Sequence, residues 1–239
     1  MLFFPVSIAA NLERIQERIA AACGRAGRNA DDVQLMAVCK TFPADAIREA
    51  YAAGQRLFGE NRVQEFATKA PALADLDHFE IHMIGHLQSN KAKKAAELFD
   101  AVESLDSVKL GNQLNNAARE ANKVLPVLIE INSGGEEAKS GLAIDWTELE
   151  PVLAAAQGWT NLCIRGLMTV PPFTDDPEGA RPYFRNVRDL RDEIAGKNLP
   201  QVSMDTLSMG MSHDFEVAIE EGSTCVRIGT AIFGTRVPR

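Results

Sequence analysis

The sequence predicts an α/β fold: a single (β/α)8 barrel of the TIM type over residues 1–239, with one extra helix before the first strand. Two observations predict it. Short apolar segments alternate with amphipathic ones along the whole chain, and strands separated by helices are parallel because a parallel return needs a crossover. A chain of 239 residues with 46% hydrophobic content can also bury the core of one such domain. A doubly wound open sheet is the main alternative.

The apolar segments, taken in order, predict eight strands. They are residues 33–39, 57–58, 79–84, 101–104, 127–131, 164–168, 205–209 and 225–228. The segments between them carry helix signals, and the first of these begins at Pro43 and is closed by Gly54. The other helical stretches are residues 61–69, 90–98, 107–122, 146–156, 178–195 and 214–220.

One further helix, about residues 7–25, precedes the first strand. Ile8, Leu12, Ile15 and Ile19 recur in it at helical spacing. Only about ten residues follow the eighth predicted strand, so a final helix has little room there. We therefore expect the N-terminal helix to cover the gap beside the last strand.

The composition excludes several classes of function. A net charge of −8 argues against a general nucleic-acid binder, because no basic excess is available to neutralise phosphates. No segment approaches the roughly 18 apolar residues of a membrane span, and the N-terminus lacks the positive leading region of a secretory signal. The four cysteines form no C-x-x-C pair, which favours reduced thiols and argues against a zinc site. We expect a cytoplasmic protein that binds neither nucleic acid nor membranes.

Lys40 directly follows the first predicted strand, at the end of the barrel where such folds build their active sites. Its parity matches Gln34, Met36 and Val38, which we assign to the barrel interior. A partly desolvated lysine has a lowered pKa, and a neutral amine is the form that attacks an aldehyde. The alternative is a surface lysine at the end of a strand.

The loops after the seventh and eighth strands are the usual phosphate-binding loops of this fold. Here they contain small residues, hydroxyl groups and free backbone N–H groups, and Gly210 and Gly229 allow the backbone to approach a ligand closely. We expect Ser208, Gly229 and Thr230 to hold a phosphate, whereas Ser212 is interpreted as a helix N-cap. Two ordinary glycine-containing turns are the alternative.

Arg227 shares its parity with Cys225 and Gly229 and is expected inside the barrel. A buried arginine needs a partner. It could donate a hydrogen bond to the ring nitrogen of a cofactor, or form a structural ion pair with Glu60 or Asp205.

Several other polar residues are expected near the same end. Asn61 could contact a cofactor ring or cap the next helix. His82, on the third strand, and Met209, beside Ser208, are further candidates for contact with a cofactor.

His82 and His86 are four residues apart, a spacing that suits a metal pair on a helix. They lie on a strand and its exit turn, so a metal site is not expected there. Asn90, Lys91 and Lys139 could face the mouth of the barrel, although a helix start and a solvated loop explain them equally well.

Taken together, these segments resemble the pyridoxal 5′-phosphate (PLP) homeostasis protein family. The matching segments run in order along nearly the whole chain, and the set is far more specific than any one of them. They are AVCKT (37–41), FGENRVQE (58–65), HMIGHLQSNK (82–91), KSGL (139–142), GLMT (166–169), LSMGMS (207–212) and VRIGTAIFG (226–234).

The resemblance implies a barrel like the N-terminal domain of alanine racemases, with PLP held as a Schiff base on Lys40. It also implies a phosphate held by Ser208, Gly229 and Thr230, with Arg227 at the pyridine nitrogen and Asn61 beside the ring. Family members are regarded as PLP carriers or regulators in vitamin B6 balance, without an established reaction. Many have a basic or polar residue where this chain has Phe42, which puts in doubt a transfer role for that position.

Three functions remain to be distinguished. The first is a non-catalytic PLP-binding protein, acting as a monomer and able to supply PLP-dependent apo-enzymes. The second is a racemase-like enzyme, which needs an acid–base group on the second face of the cofactor from an additional β domain; this chain ends soon after its eighth strand. The third is an aldolase-like lysine enzyme for sugar phosphates, which does not explain Arg227. We expect the first.

Overall fold

The computed structural model describes residues 7–136 and 140–234. Within them, eight parallel strands form a closed barrel in sequence order, with β8 paired to β1. The strands are β1 (Gln34–Val38), β2 (Leu57–Glu60), β3 (Glu80–Met83), β4 (Ala101–Leu105), β5 (Leu125–Ile131), β6 (Leu162–Thr169), β7 (Val202–Met211) and β8 (Cys225–Ile228). The predicted (β/α)8 barrel is confirmed, and the open sheet is excluded because the first and last strands pair.

Helices follow the strands as predicted, with boundaries within a few residues of the expected ones. They are α1 (Ile8–Arg25), α2 (Ala44–Ala52), α3 (Val63–Lys69), α4 (Ala92–Leu98), α5 (Val108–Glu120), α6 (Trp146–Ala156), α7 (Arg181–Gly196), α8 (Phe215–Glu220) and α9 (Thr230–Phe233). None of the helices in these two ranges is both long and apolar enough to cross a membrane.

The N-terminal helix closes the outer layer beside the last strand. α1 starts after Ser7, whose hydroxyl caps it by accepting from the N–H of Ala10. It packs against α8, α9 and α2, and the amide of Asn11 donates to the carbonyl of Ile232 over 2.8 Å. The final helix, α9, has only four residues, so α1 fills the place that a full eighth helix would take. The expected covering role of the N-terminal helix is confirmed.

Alternate strand residues face opposite sides of the barrel wall. Leu125 and Val127 of β5 belong to the large apolar core between the strands and the helices. Met36, Leu57 and Cys225 instead form a separate small cluster inside the barrel. This apolar cluster fills only part of the interior, and buried charged residues occupy other positions there.

The seventh strand is longer than predicted, so the loop that follows it begins later in the sequence. β7 runs to Met211 rather than to residue 209, with an irregularity in its pairing with β8 between Ser208 and Met211. Gly210 has a positive φ of 94°, and a Cβ on it would lie 2.5 Å from that of Ala218 in α8. The strand therefore continues past the glycine, and the loop that follows it begins at Ser212.

A cluster of arginines ties α7 to the end of α8. The nearly buried carboxylate of Glu221 accepts hydrogen bonds from Arg181 (3.1 Å), Arg185 (2.9 Å) and Arg188 (2.8 Å). Replacing Glu221 by glutamine should lower the free energy of unfolding by about 2 kcal/mol in urea denaturation, because charge-assisted bonds are lost. The control is Glu216→Gln, whose partly exposed ion pairs with Arg18 and Arg25 should contribute less than about 1 kcal/mol. Equal losses would contradict this ranking.

Candidate functional site

Lys40 lies at the exit of β1, close to the turn that follows β8. Gly229 packs so tightly against the end of β1 that a Cβ on it would lie 3.2 Å from the carbonyl oxygen of Val38. Beyond Lys40, the ring of Phe42 packs on that of Phe233 in α9, with centroids 4.9 Å apart. The loop that carries half-buried Lys40 and the turn after β8 therefore share one part of the rim. Phe42 acts here as an apolar contact between the two.

The backbone beside Lys40 has an unusual conformation. Thr41 has a φ of 68°, in the left-handed region that a β-branched residue rarely adopts. Its N–H donates a hydrogen bond to the carboxylate of Glu65 in α3. Strained residues of this kind persist only where their surroundings fix them, and they are concentrated at functional sites.

A buried ion cluster lies behind this loop, on the outer side of β2. The ammonium group of Lys69 donates to Glu60 and Glu65, and also to the carbonyl of Cys39 over 3.1 Å. Burial opposes the charge of Lys69, but the hydrogen bonds to the two carboxylates outweigh that effect and raise its pKa. Lys69 therefore stays protonated at neutral pH and does not compete with Lys40 as an amine nucleophile.

Arg227 reaches across the barrel interior, as its parity predicts, and is 4% exposed. Its terminal nitrogens donate to the carbonyl and hydroxyl oxygens of Ser208 and to the carbonyl of Thr169, the last over 2.7 Å. The Ser208 hydroxyl in turn donates to the buried carboxylate of Glu103. Nε of the guanidinium takes part in none of these bonds.

The two carboxylates considered as partners of Arg227 lie elsewhere. Glu60 faces outward and pairs with Lys69, and Asp205 pairs with Arg165 over 3.2 Å. The structural ion pair proposed for Arg227 is therefore wrong in its partners. The carboxylate linked to Arg227 is that of Glu103, which no sequence pattern indicated because the link runs through Ser208, 105 residues away in the chain.

His82 lies inside the barrel, below the rim, with both ring nitrogens engaged. Nδ1 is 2.8 Å from Glu103 and Nε2 is 2.9 Å from Glu80. Burial disfavours its charge, but the hydrogen bonds to Glu103 and Glu80 outweigh this and raise the pKa of His82 to about 9. The ring lines a cavity of about 260 Å³ together with Gln34, Glu80, Ala101 and Cys225, the first residues of four strands. His82 thus faces the N-terminal end of the barrel, away from the rim that carries Lys40.

The charge of His82 makes stability depend on pH. Its folded-state pKa of about 9 is above the ordinary value of 6.5, so the stabilisation is complete below pH 6.5 and is lost as pH rises through 9. We expect the free energy of unfolding to fall by up to about 3 kcal/mol across that window. His82→Asn should remove most of this slope, whereas a change at the exposed His86 should leave it. An unchanged slope in the His82 variant would contradict the assignment.

The side chains of Ser208, Met209 and Ser212, at the end of the seventh strand, lie in three different environments. Ser208 is fully buried and its hydroxyl is bound to Glu103 and Arg227. The side chain of Met209 belongs to the core between the strands and the helices, so it faces away from the interior. Ser212 comes directly after the strand, and the residue that precedes α8 is Asp214. The interpretation of Ser212 as the N-cap is therefore wrong, and Ser212 stands at the rim.

The remaining candidates follow the strands at the same end. Gly229 and Thr230 come directly after β8. Asn61 follows β2, with its N–H donating to Glu60 over 3.2 Å, and Arg62 rather than Asn61 occupies the N-cap position of α3. Lys139 lies outside the described residues. In the described ranges, no group of three or more His, Cys, Asp and Glu residues could hold a metal ion.

Comparison with known proteins identifies the family to which this chain belongs. Residues 10–237 match the family model of the alanine racemase N-terminal domain. The chain is 48% identical over 225 residues to the pyridoxal phosphate homeostasis protein of Aquifex aeolicus, covering 94% of this chain and 96% of that one. It is 43% identical over 231 residues to the protein of the same name from Escherichia coli K12, covering 96% and 97%.

Solved structures give the same result. PipY of Synechococcus elongatus, solved with PLP bound, superimposes with a TM-score of 0.82 at 37% identity and covers 95% of this chain and 100% of that one. An alanine racemase from Clostridium difficile shares the fold, with a TM-score of 0.71 at 14% identity, although the match covers only 57% of its chain. From the family model and from relatives that align over nearly their full length, this chain belongs to the pyridoxal phosphate homeostasis proteins, within the alanine racemase N-terminal domain family.

Proposed function

We propose that this protein binds PLP as a Schiff base on Lys40 and serves intracellular PLP homeostasis. The observation that carries the proposal is the close packing of Gly229 against the end of β1, which places the turn after β8 beside the lysine loop. PLP is small, so the amine that binds its aldehyde and the turn that binds its phosphate must lie on the same part of the rim. The relative from Synechococcus elongatus was solved with PLP bound, which supports PLP as the ligand.

The residues at the rim fit the chemical groups of PLP. We assign the phosphate to Ser212, Gly229 and Thr230, which follow β7 and β8 and supply hydroxyl and backbone N–H donors. Ser208 was expected in this set, but its hydroxyl is already bound to Glu103 and Arg227. Its role in the proposal is therefore to hold Arg227.

Arg227 and Asn61 would contact the ring of the cofactor. Arg227 is fixed inside the barrel by bonds from its terminal nitrogens, and its Nε is suited to donate to the pyridine nitrogen. A permanently charged donor keeps that nitrogen unprotonated, which weakens the ring as an electron sink. Asn61, at the exit of β2, would lie beside the ring. His82 and Met209 face other directions and are not part of this assignment.

When bound, PLP would supply an aldehyde, and Lys40 would provide the amine that holds it covalently, with water as the leaving group. Lys69 stays protonated and holds the loop backbone instead. We expect little amino-acid racemisation, because Arg227 would weaken the electron sink that such a reaction needs. A racemase-like enzyme is the second candidate, favoured only by the shared fold.

The decisive experiment is reduction of the purified, PLP-loaded protein with borohydride, followed by peptide mapping. We expect the cofactor to be fixed on Lys40 at about one equivalent, with negligible racemisation of alanine. Absence of a fixed cofactor would overturn the binding proposal. Steady racemisation would favour the enzyme.

We further propose that the protein acts as a monomer and transfers PLP to PLP-dependent apo-enzymes. Light scattering tests the first statement. For the second, activation of a defined apo-enzyme by the loaded protein is compared with activation by free PLP. Activation no faster than with free PLP would contradict a carrier role while leaving cofactor binding intact.

A further inference from the structure

We propose that Glu65 and Lys69 are positioning residues for Lys40, which hold its backbone so that its amine faces the barrel mouth. The inference rests on the proposed function, in which Lys40 carries PLP. Both residues lie on α3, four positions apart and on the same helix face, and neither is expected to touch the cofactor.

The two residues hold the backbone on both sides of Lys40. Lys69 donates to the carbonyl of Cys39, the residue before it, over 3.1 Å. Glu65 accepts from the N–H of Thr41, the residue after it. Since the Lys69 ammonium also bonds Glu65 over 2.8 Å, the two contacts form one connected unit around the lysine loop.

The conformation of Thr41 explains why the loop needs this support. A left-handed φ of 68° is unfavourable for threonine, so its geometry must be imposed by other interactions. Its hydrogen bond to Glu65 provides such an interaction. If it is lost, the backbone is expected to relax toward a common conformation and turn the Lys40 side chain away from its present direction.

The same cluster also reaches Asn61. Glu60 is fully buried, bonds the Lys69 ammonium with one carboxylate oxygen, and accepts from the N–H of Asn61 with the other over 3.2 Å. One buried ion cluster therefore fixes the backbone of Asn61 and of the two residues that flank Lys40. Burying charged groups beside the lysine loop costs free energy that their mutual attraction need not recover. A contribution to stability therefore does not explain why the cluster is there.

The test compares Lys69→Met and Glu65→Met with wild type and with the control Lys93→Met. Lys93 is exposed and pairs with Glu120, away from this cluster. The readouts are the rate at which added PLP becomes borohydride-fixed on Lys40, the pH dependence of that rate, and the unfolding temperature. We expect a loss of at least tenfold in rate, with a shifted pH profile, for both cluster variants and no change for the control. Lys69→Arg should recover part of the rate.

The outcomes separate this inference from the proposed function. If wild type fixes no PLP on Lys40, the proposed function fails. If wild type does so and folded Glu65→Met, which has no oxygen to accept from the N–H of Thr41, reacts within twofold of it at every pH, the positioning role is wrong. If Lys69→Met does not fold, Glu65→Met decides, since the side chain of Glu65 is partly exposed and the replacement is of similar size. A lowered unfolding temperature with an unchanged pH profile would also count against the inference.

Discussion

Replacing Lys40 by alanine is expected to abolish covalent retention of PLP, with a loss of at least about 100-fold in borohydride-fixed cofactor. The expected size follows from chemistry: without the amine no C=N bond forms, and the phosphate and ring contacts alone hold a small ligand reversibly. The measurement is the stoichiometry of fixed PLP by mass spectrometry after gel filtration. Because Lys40 is half-buried at the rim and the Phe42–Phe233 contact remains, the variant should fold.

The matched control is Lys91→Ala, which removes another half-buried lysine located after a strand at the same end of the barrel. It should keep wild-type stoichiometry. Lys69 is not expected to react in place of Lys40, because its ammonium is occupied by Glu60, Glu65 and the carbonyl of Cys39. Retention of one fixed equivalent by the Lys40 variant would place the reactive amine on another lysine and require a different site.

Replacing Glu103 by alanine is expected to give a large loss of stability, about 3–5 kcal/mol in the free energy of unfolding. Its carboxylate, 1% exposed, binds the charged ring of His82 directly and is linked to Arg227 through the Ser208 hydroxyl. Without the Glu103 carboxylate, the buried charges of His82 and Arg227 lose the negative group that lies between them. Chemical denaturation at pH 6.5, where His82 is charged, measures the effect.

The control for Glu103 is Glu80→Ala, because Glu80 bonds the other nitrogen of the same ring. Glu80 is half-exposed, so its loss should lower the free energy of unfolding by less than about 1 kcal/mol. The difference between the variants should shrink above pH 9, where His82 becomes neutral and needs less compensation. Equal effects of the two replacements would show that burial of Glu103 is not the cause.

Much of the site could be predicted because it depends on short-range patterns. Lys40 comes after an apolar segment, and alternation along a strand placed Arg227 inside the barrel. Contacts between segments that are distant in the sequence could not be predicted from such patterns. The pairing of His82 with Glu103 joins neighbouring strands, and Lys69 bonds the carbonyl of Cys39 from a helix 30 residues later. The position of Ser212 was missed because a glycine inside a strand looks like its end, whereas packing against α8 favours continuation of β7 through Gly210.

Hydrophobic patterning was enough to predict a barrel, the order of its elements and the strands that carry Lys40 and Arg227 to their positions. These follow from hydrophobic periodicity, which is a local property of the chain. Only the folded molecule shows which charged groups are partners, which residues stand at the rim, and how the backbone around Lys40 is held. Those features depend on strand register and helix packing, which bring together residues far apart in sequence, and no local pattern encodes that pairing.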